Sequence, residues 1–271
     1  MIGIIAGDII GSVYEYPFYK GTWTKEKPYK NFELFQPKSR FTDDTTMSLA
    51  IADALLKGQN YGRCLHDYGN QYWGVGYGGN FKKWLQTPFE KCVPYGSFGN
   101  GSAMRVGAIG WAFDTEQKVL EEAQKTALPT HNHSEGIKGA QAVALAIFLA
   151  RNGASKEVIK QRIQEKMMYN LEQDIETIRT SYTFDVTCQG SVPQSICCFL
   201  ASDNVEDAIR LAISLGGDTD TMAAISGGIA LAYYQAIPIY IYDNTKKYLD
   251  EHLWHVLQTF EDKYNINYNL I

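Results

Sequence analysis

The sequence predicts an all-α protein, and three observations carry that expectation. Apolar residues recur at helical spacing along most of the 271 residues. Almost no stretch alternates with period two, the mark of a half-buried strand. Several periodic segments end at residues that stop helices, such as Gly58 and the pair Asn152 and Gly153. With no repeat period and no low-complexity linker, residues 1–271 read as one domain.

Composition narrows the function. A net charge of −5 without any Lys/Arg block argues against an intrinsic nucleic-acid-binding surface, because neutralising phosphates needs a basic face. The five cysteines form no Cys-x-x-Cys pair and are odd in number, so neither a disulfide framework nor a zinc knuckle is expected. They fit a reducing, cytoplasmic setting. The first residues lack a basic leader and meet Asp8 early, unlike a signal peptide. The apolar run 140–150 stops at Arg151, too short to span a membrane. A monomer is expected.

In chain order, residues 2–13 are apolar with Gly3, Gly7 and Gly11, and read as a glycine-spaced helix packed closely on a neighbour. Glu15 follows, then a Pro- and aromatic-rich loop over 17–39. Residues 43–57 form a clean helix, with Met47, Leu49, Ala50, Ala54 and Leu55 in register. Further helices are expected over 63–73, 81–85, 103–113, 116–127, 136–150, 156–168, 171–181, 192–200, 205–215 and 219–234. Pro238 marks a break, and 248–260 is the last helix. Glycine-rich loops fall at 74–80 and 95–102, and a further loop at 183–190.

Two acidic runs stand out: Thr42, Asp43, Asp44, Thr45 and, far along the chain, Gly216, Gly217, Asp218, Thr219, Asp220, Thr221. Each opens a long apolar helix. Singly, each is also an ordinary helix cap. Together they offer hard oxygen donors from Asp43, Asp44, Asp218 and Asp220, with hydroxyls from Thr42 and Thr221, a set that suits Mg²⁺, Mn²⁺ or Ca²⁺ rather than zinc. Four carboxylates converging without a cation would repel one another. Glu15 is a candidate acid/base at the mouth of the first helix, though the residue alone reads first as a solvated surface carboxylate. The run Gly99, Asn100, Gly101, Ser102, Ala103, Met104, Arg105 opens a helix through a glycine turn, which serves either as a phosphate cradle or as a tight turn only. His131 and His133 flank Asn132 before another helix, and the aromatic loop 72–84 could stack on a base or cover a pocket. No Ser/His/Asp or Cys/His set points to a covalent mechanism.

In this order, the segments resemble the ADP-ribosylglycohydrolase family, which includes the dinitrogenase reductase-activating glycohydrolases. The resemblance runs through Gly7, Asp8, Gly11 and Glu15, then Thr42 to Thr45, Gly99 to Arg105, Thr130 with His131, and Gly216 to Ile225. It implies a compact orthogonal multi-helix domain with a binuclear metal cleft holding two Mg²⁺ or Mn²⁺ ions. Thr42, Asp43, Asp44, Asp218, Asp220 and Thr221 match the metal ligands, with Asp220 as the bridge, and Glu15 matches the acidic residue beside them. Gly99, Asn100, Gly101, Ser102 and Ala103 match the pyrophosphate loop, and His131 a substrate contact. Gln189 and Gly190 match a stretch lining the cleft. The implied activity is hydrolysis of an ADP-ribose conjugate, with Asp44 or Glu15 as base. The N-glycosidic bond to protein arginine is the expected target, because the pattern looks like the arginine-directed bacterial members. Another conjugate (ADP-ribosyl-serine, O-acetyl-ADP-ribose or ADP-ribosylated nucleic acid) and a non-catalytic ADP-ribose binder are the alternatives.

Overall fold

In the computed structural model, residues 1–15 and 30–271 are described. The expected loop over 17–39 lies outside them up to residue 29; residues 30–42 are irregular. The chain forms α1 (Ile2–Gly11), α2 (Asp43–Lys57), α3 (Tyr61–Gln71), α4 (Gly79–Gln86), α5 (Gly101–Met104), α6 (Gly107–Ala112), α7 (Glu116–Ala127) and α8 (Ser134–Arg151). There follow α9 (Lys156–Met167), α10 (Ile175–Ser181), α11 (Cys188–Ala201), α12 (Val205–Ser214), α13 (Thr219–Tyr234), α14 (Ile239–Tyr248) and α15 (Glu251–Lys263). Among the described residues the strands are β1 (Ala236–Ile237) and β2 (Asn269–Leu270), paired in parallel. The all-α expectation holds. None of the described helices is long and apolar enough to cross a membrane.

At the centre lies α13. Nearly all of it is buried, and it packs on α1, α8, α11 and α12. Its tightest partner is α1, itself buried at every residue. The two run antiparallel with backbones almost touching: a Cβ on Gly7 would lie 2.1 Å from the Ala223 carbonyl oxygen, and one on Gly11 2.5 Å from the Asp220 Cα. Only glycine permits that approach. It sets the last turn of α1 against the first turn of α13, where the Thr219 hydroxyl donates to the Gly11 carbonyl at 2.9 Å.

Several boundaries differ from expectation for identifiable reasons. The stretch 103–113 is two short helices, α5 and α6, because the chain turns at Arg105 and Val106. The turn buries the Arg105 side chain and seats Gly107 against Ile4 and Gly110 against the backbone of α8. Residues 171–174 are not helical; Asp174 caps α10 by accepting from Thr177 N–H. At the front of α11, Thr187 caps the helix by accepting from Gly190 N–H, so the helix begins at Cys188 and carries Pro193 inside it. Beyond Pro238 lies α14, which the sequence reading does not contain: only Ile241 and Thr245 are buried, too sparse a stripe to show as periodicity. Asp250 then caps α15, so Tyr248 ends one helix rather than opening the last.

The close approach of α1 to α13 is testable. Gly7→Ala should lower stability by about 1–3 kcal/mol through overpacking, read as a shifted urea midpoint. An unchanged midpoint would mean that the two backbones can separate freely.

Candidate metal and substrate cleft

The N-termini of α2 and α13 face one cleft of about 410 Å³. At these two helix starts Thr42, Asp43, Asp44, Asp218, Asp220 and Thr221 line it, and Glu15 does so from just beyond α1. The two acidic runs, far apart in sequence, therefore meet. Carboxylate oxygens of Asp8, Asp44 and Asp220 lie within 4.8 Å of one another, and so do those of Glu15, Asp218 and Asp220. Asp220 is common to both groups. The Thr221 hydroxyl donates to Asp44 Oδ2 at 3.2 Å, tying α13 to α2. Asp44 Oδ1 is buried and has no hydrogen-bond partner among the described residues.

The electrostatics of the cleft disfavour ionised carboxylates on their own. Burial, reinforced by Asp220, pushes the Glu15 carboxyl up to about 8. Burial and the same neighbour push Asp43 to about 8, and burial raises Asp218 to about 6. Asp44 and Asp220 are raised well above the carboxylate range by burial first and by neighbouring carboxylates second. The helix N-termini offset part of this repulsion but supply only fractional charge. An oxygen-only donor set, an orphaned carboxylate oxygen and mutual repulsion fit a hard divalent cation.

Asp8 is the residue that sequence reasoning left without a role. It is fully buried. Its carboxylate accepts from Thr42 N–H at 2.9 Å, from the Thr42 hydroxyl at 2.7 Å and from Thr45 N–H at 3.1 Å, and also from the Thr45 hydroxyl. It thus caps α2 from a different helix, and fixes the conformation from which Asp43 and Asp44 project. Its signal in the sequence is a lone charge inside an apolar helix.

The opposite wall is the turn before α5. Gly99, Asn100 and Gly101 line the cleft. Residues 186–188 clamp this turn: Asn100 N–H donates to the Val186 carbonyl at 2.8 Å, and Cys188 N–H to the Phe98 carbonyl at 2.9 Å. The Asn100 side chain turns to the acidic wall and donates to Asp218 Oδ2 at 2.6 Å. Ser102 and Ala103 are buried and absent from the wall; the Ser102 hydroxyl donates to the Gly136 carbonyl at 2.7 Å. His131 lines the cleft beside the turn, with Arg105 from the end of the glycine-turn run and with Tyr95 and Ser97, to which the sequence gives no role. His133 instead caps α8, its Nδ1 accepting from Glu135 N–H. Val186 lines the cleft, whereas Gln189 is exposed and Gly190 packs against Asp185. The expected lining by Gln189 and Gly190 is therefore displaced by a few residues, because Thr187 starts the helix earlier.

A third wall comes from Val75 and Gly76 in the segment before α4 and from Phe81 in the first turn of α4. Tyr77 and Trp84 are core residues, with Tyr77 and Trp84 each packed on Phe81 at ring-centroid distances of 5.1 and 5.5 Å. The loop covers the pocket; these two aromatics do not face it.

An all-helical scaffold that gathers carboxylates from three distant segments around one cleft, opposite a glycine turn, defines a narrow class. Residues 1–265 match the family model described as ADP-ribosylglycohydrolase, and the chain belongs to that family. It is 28% identical over 309 residues to ADP-ribosylhydrolase ARH3 of Homo sapiens, covering 86% of this chain and 84% of that protein. It is 26% identical over 283 residues to ADP-ribosylarginine hydrolase Tri1 of Pseudomonas putida, covering 86% and 69%. A solved structure, "ADP-ribosylglycohydrolase-related protein complex", superposes with a TM-score of 0.65 at 20% identity, over 98% of this chain and 93% of that one, and shares the fold.

Two outcomes follow from this geometry. Asp8→Ala should cost about 3 kcal/mol, since it strips charged acceptors from two buried backbone N–H groups and two hydroxyls; an unchanged denaturation midpoint would remove Asp8 from the frame of α2. For metal-stripped protein, the raised carboxyls mean that the folded state binds more protons than the unfolded chain, whose carboxyls titrate near 4. Stability must then fall as pH rises from about 4 to about 8. Mg²⁺ should raise the melting temperature more at pH 8 than at pH 5, because protons compete for the same oxygens. Equal Mg²⁺ effects at both pH values would contradict this account.

Proposed function

We propose that the protein is a metal-dependent ADP-ribosyl hydrolase that releases ADP-ribose from a modified acceptor. The observation that carries this reading is the meeting of Asp43, Asp44, Asp218 and Asp220 in one cleft that faces the turn at Gly99 to Gly101. Family membership supports it from an independent direction.

In this proposal Asp43, Asp44, Asp218 and Asp220, with the hydroxyls of Thr42 and Thr221, would hold two divalent ions, Mg²⁺ or Mn²⁺, with Asp220, common to both carboxylate groups, shared between them. Bound there, such ions would supply positive charge for orienting vicinal ribose hydroxyls and a water. The chain's own groups do the rest. The turn at Gly99 to Gly101 and His131 receive the pyrophosphate side of the substrate. Glu15, half-buried beside Asp218 and Asp220, takes the proton from the attacking water, and Asp44 is the alternative base. The surrounding negative charge stabilises the oxocarbenium-like transition state at the anomeric carbon.

For the acceptor we propose arginine, released by cleavage of the N-glycosidic bond. The similar Pseudomonas putida protein is named an ADP-ribosylarginine hydrolase, and that similarity supports this acceptor. Similarity to ADP-ribosylhydrolase ARH3 at comparable identity favours a second reading, a different ADP-ribose conjugate on the same machinery.

A substrate panel separates these readings: ADP-ribosyl-arginine, ADP-ribosyl-serine, O-acetyl-ADP-ribose and an ADP-ribosylated oligonucleotide, each with Mg²⁺ and with Mn²⁺. Release of ADP-ribose from the arginine conjugate is expected. Turnover of another conjugate alone would overturn the acceptor, and binding of ADP-ribose with no turnover at all would overturn the enzyme. Asp220→Asn should lower turnover by about a hundredfold or more. The same variant, stripped of metal, should be no less stable at pH 8 than the parent protein, since one of the repelling buried carboxylates is gone. Near-normal turnover by this variant would dismiss Asp220 as the bridge.

A further inference from the structure

In the cleft wall, three side chains form a buried chain of hydrogen bonds that ends on His131. The Arg105 guanidinium, 1% exposed, donates from Nη2 to the Thr126 carbonyl and to the Thr130 hydroxyl oxygen, both at 2.9 Å. Thr130 Oγ1 lies 2.7 Å from His131 Nδ1. The imidazole is held by its own backbone, whose N–H donates to the Ala127 carbonyl at 2.7 Å. Its Nε2 edge lies against the glycine turn, where a Cβ on Gly101 would be 3.2 Å away.

Proton direction along this chain follows from the donors. A guanidinium has no acceptor, so Thr130 Oγ1 must accept from Arg105. That leaves the Thr130 hydroxyl proton for one of two neighbours, His131 Nδ1 or the Tyr95 hydroxyl, which also bonds Thr130. The 2.7 Å separation matches an O–H donor better than an N–H donor, whose usual distance is about 2.9–3.0 Å. Field and geometry agree. The ring turns its lone pair toward the cation and its N–H toward the cleft lined by carboxylates. Burial and the nearby Arg105 charge also hold the imidazolium form well below the usual histidine range.

We infer that Arg105 and Thr130 are positioning residues that lock His131 as the neutral Nε2–H tautomer, making it a fixed hydrogen-bond donor into the cleft for an anionic or carbonyl-type oxygen of the ligand. The identity of that oxygen rests on the ADP-ribosyl reading; the tautomer does not. A donor that carries no net charge contributes directionality beside an acidic centre without competing with cations for the carboxylates.

The test uses the full-length protein labelled with ¹⁵N-histidine. Two-bond ¹H–¹⁵N correlation spectra at pH 7, with the His131 signals assigned through His131→Gln, report the tautomer directly. Wild-type protein should show a protonated Nε2 and an unprotonated Nδ1. Thr130→Val should lose that pattern and weaken ADP-ribose binding by about tenfold, the worth of one hydrogen bond. Thr130→Ser should retain both. A wild-type Nδ1–H tautomer or imidazolium, or a Thr130→Val protein with an unchanged pattern, would overturn the inference. Should the protein fail to bind ADP-ribose, the functional reading falls while the spectra still decide the relay.

Discussion

The contact between α1 and α13 governs the rest of the structure. Both helices are buried along nearly their whole length, so neither can slide to relieve a clash. Gly7 and Gly11 let their backbones meet at a separation that any Cβ would forbid. The consequence is chemical as well as architectural. Antiparallel packing places Asp8, one turn before the end of α1, beside Asp220 at the start of α13. Asp8 then reaches across to cap α2 and brings Asp44 into the same group. One steric permission, written as glycines at a spacing of four, assembles carboxylates from three parts of the chain.

That assembly is unfavourable by itself. Each helix N-terminus stabilises a carboxylate by a fraction of a charge's worth, and the threonine hydroxyls of 42, 45 and 221 donate to Asp8 and Asp44. Even so, burial and mutual repulsion leave Asp43, Asp44 and Asp220 strongly resistant to ionisation. A purely structural cluster would have a cheaper solution: amides or hydroxyls in place of some carboxylates would satisfy the same bonds without the repulsion. Retaining acids here makes physical sense where a cation completes the site. Asp44 Oδ1 points the same way, as a buried acceptor that no donor of the described residues reaches.

How far this was legible in the sequence depends on the kind of information needed. Helices with a side-chain cap, α2 behind Thr42 and α7 behind Thr115, are readable to the residue, because cap chemistry is local; α13 is readable from its unbroken apolar run. The break between α5 and α6 is not, since it answers to what Arg105, Gly107 and Gly110 meet in space. α14 escapes because its buried face is only Ile241 and Thr245. In the site, residue types announce the acidic runs, and the structure gathers all of them. Side-chain direction is another matter. Ser102 and Ala103 belong to the glycine-turn motif yet face the core, and Asn100 spends its amide on Asp218. No sequence spacing encodes that choice.

The Asn100 bond also joins the two halves of the cleft. Its backbone is fixed by Val186 across a short antiparallel bridge, while its side chain donates to a carboxylate of the acidic wall. The turn and the carboxylates therefore cannot move independently: a shift of one strains a 2.6 Å bond to the other. On the far side of the same turn, the buried chain from Arg105 through Thr130 steadies His131. The glycine turn is thus braced on both flanks by polar groups whose own partners are buried. Such bracing suits a cleft that must hold one ligand by two chemically different ends, because the distance between the ends is then set by the protein rather than by the ligand.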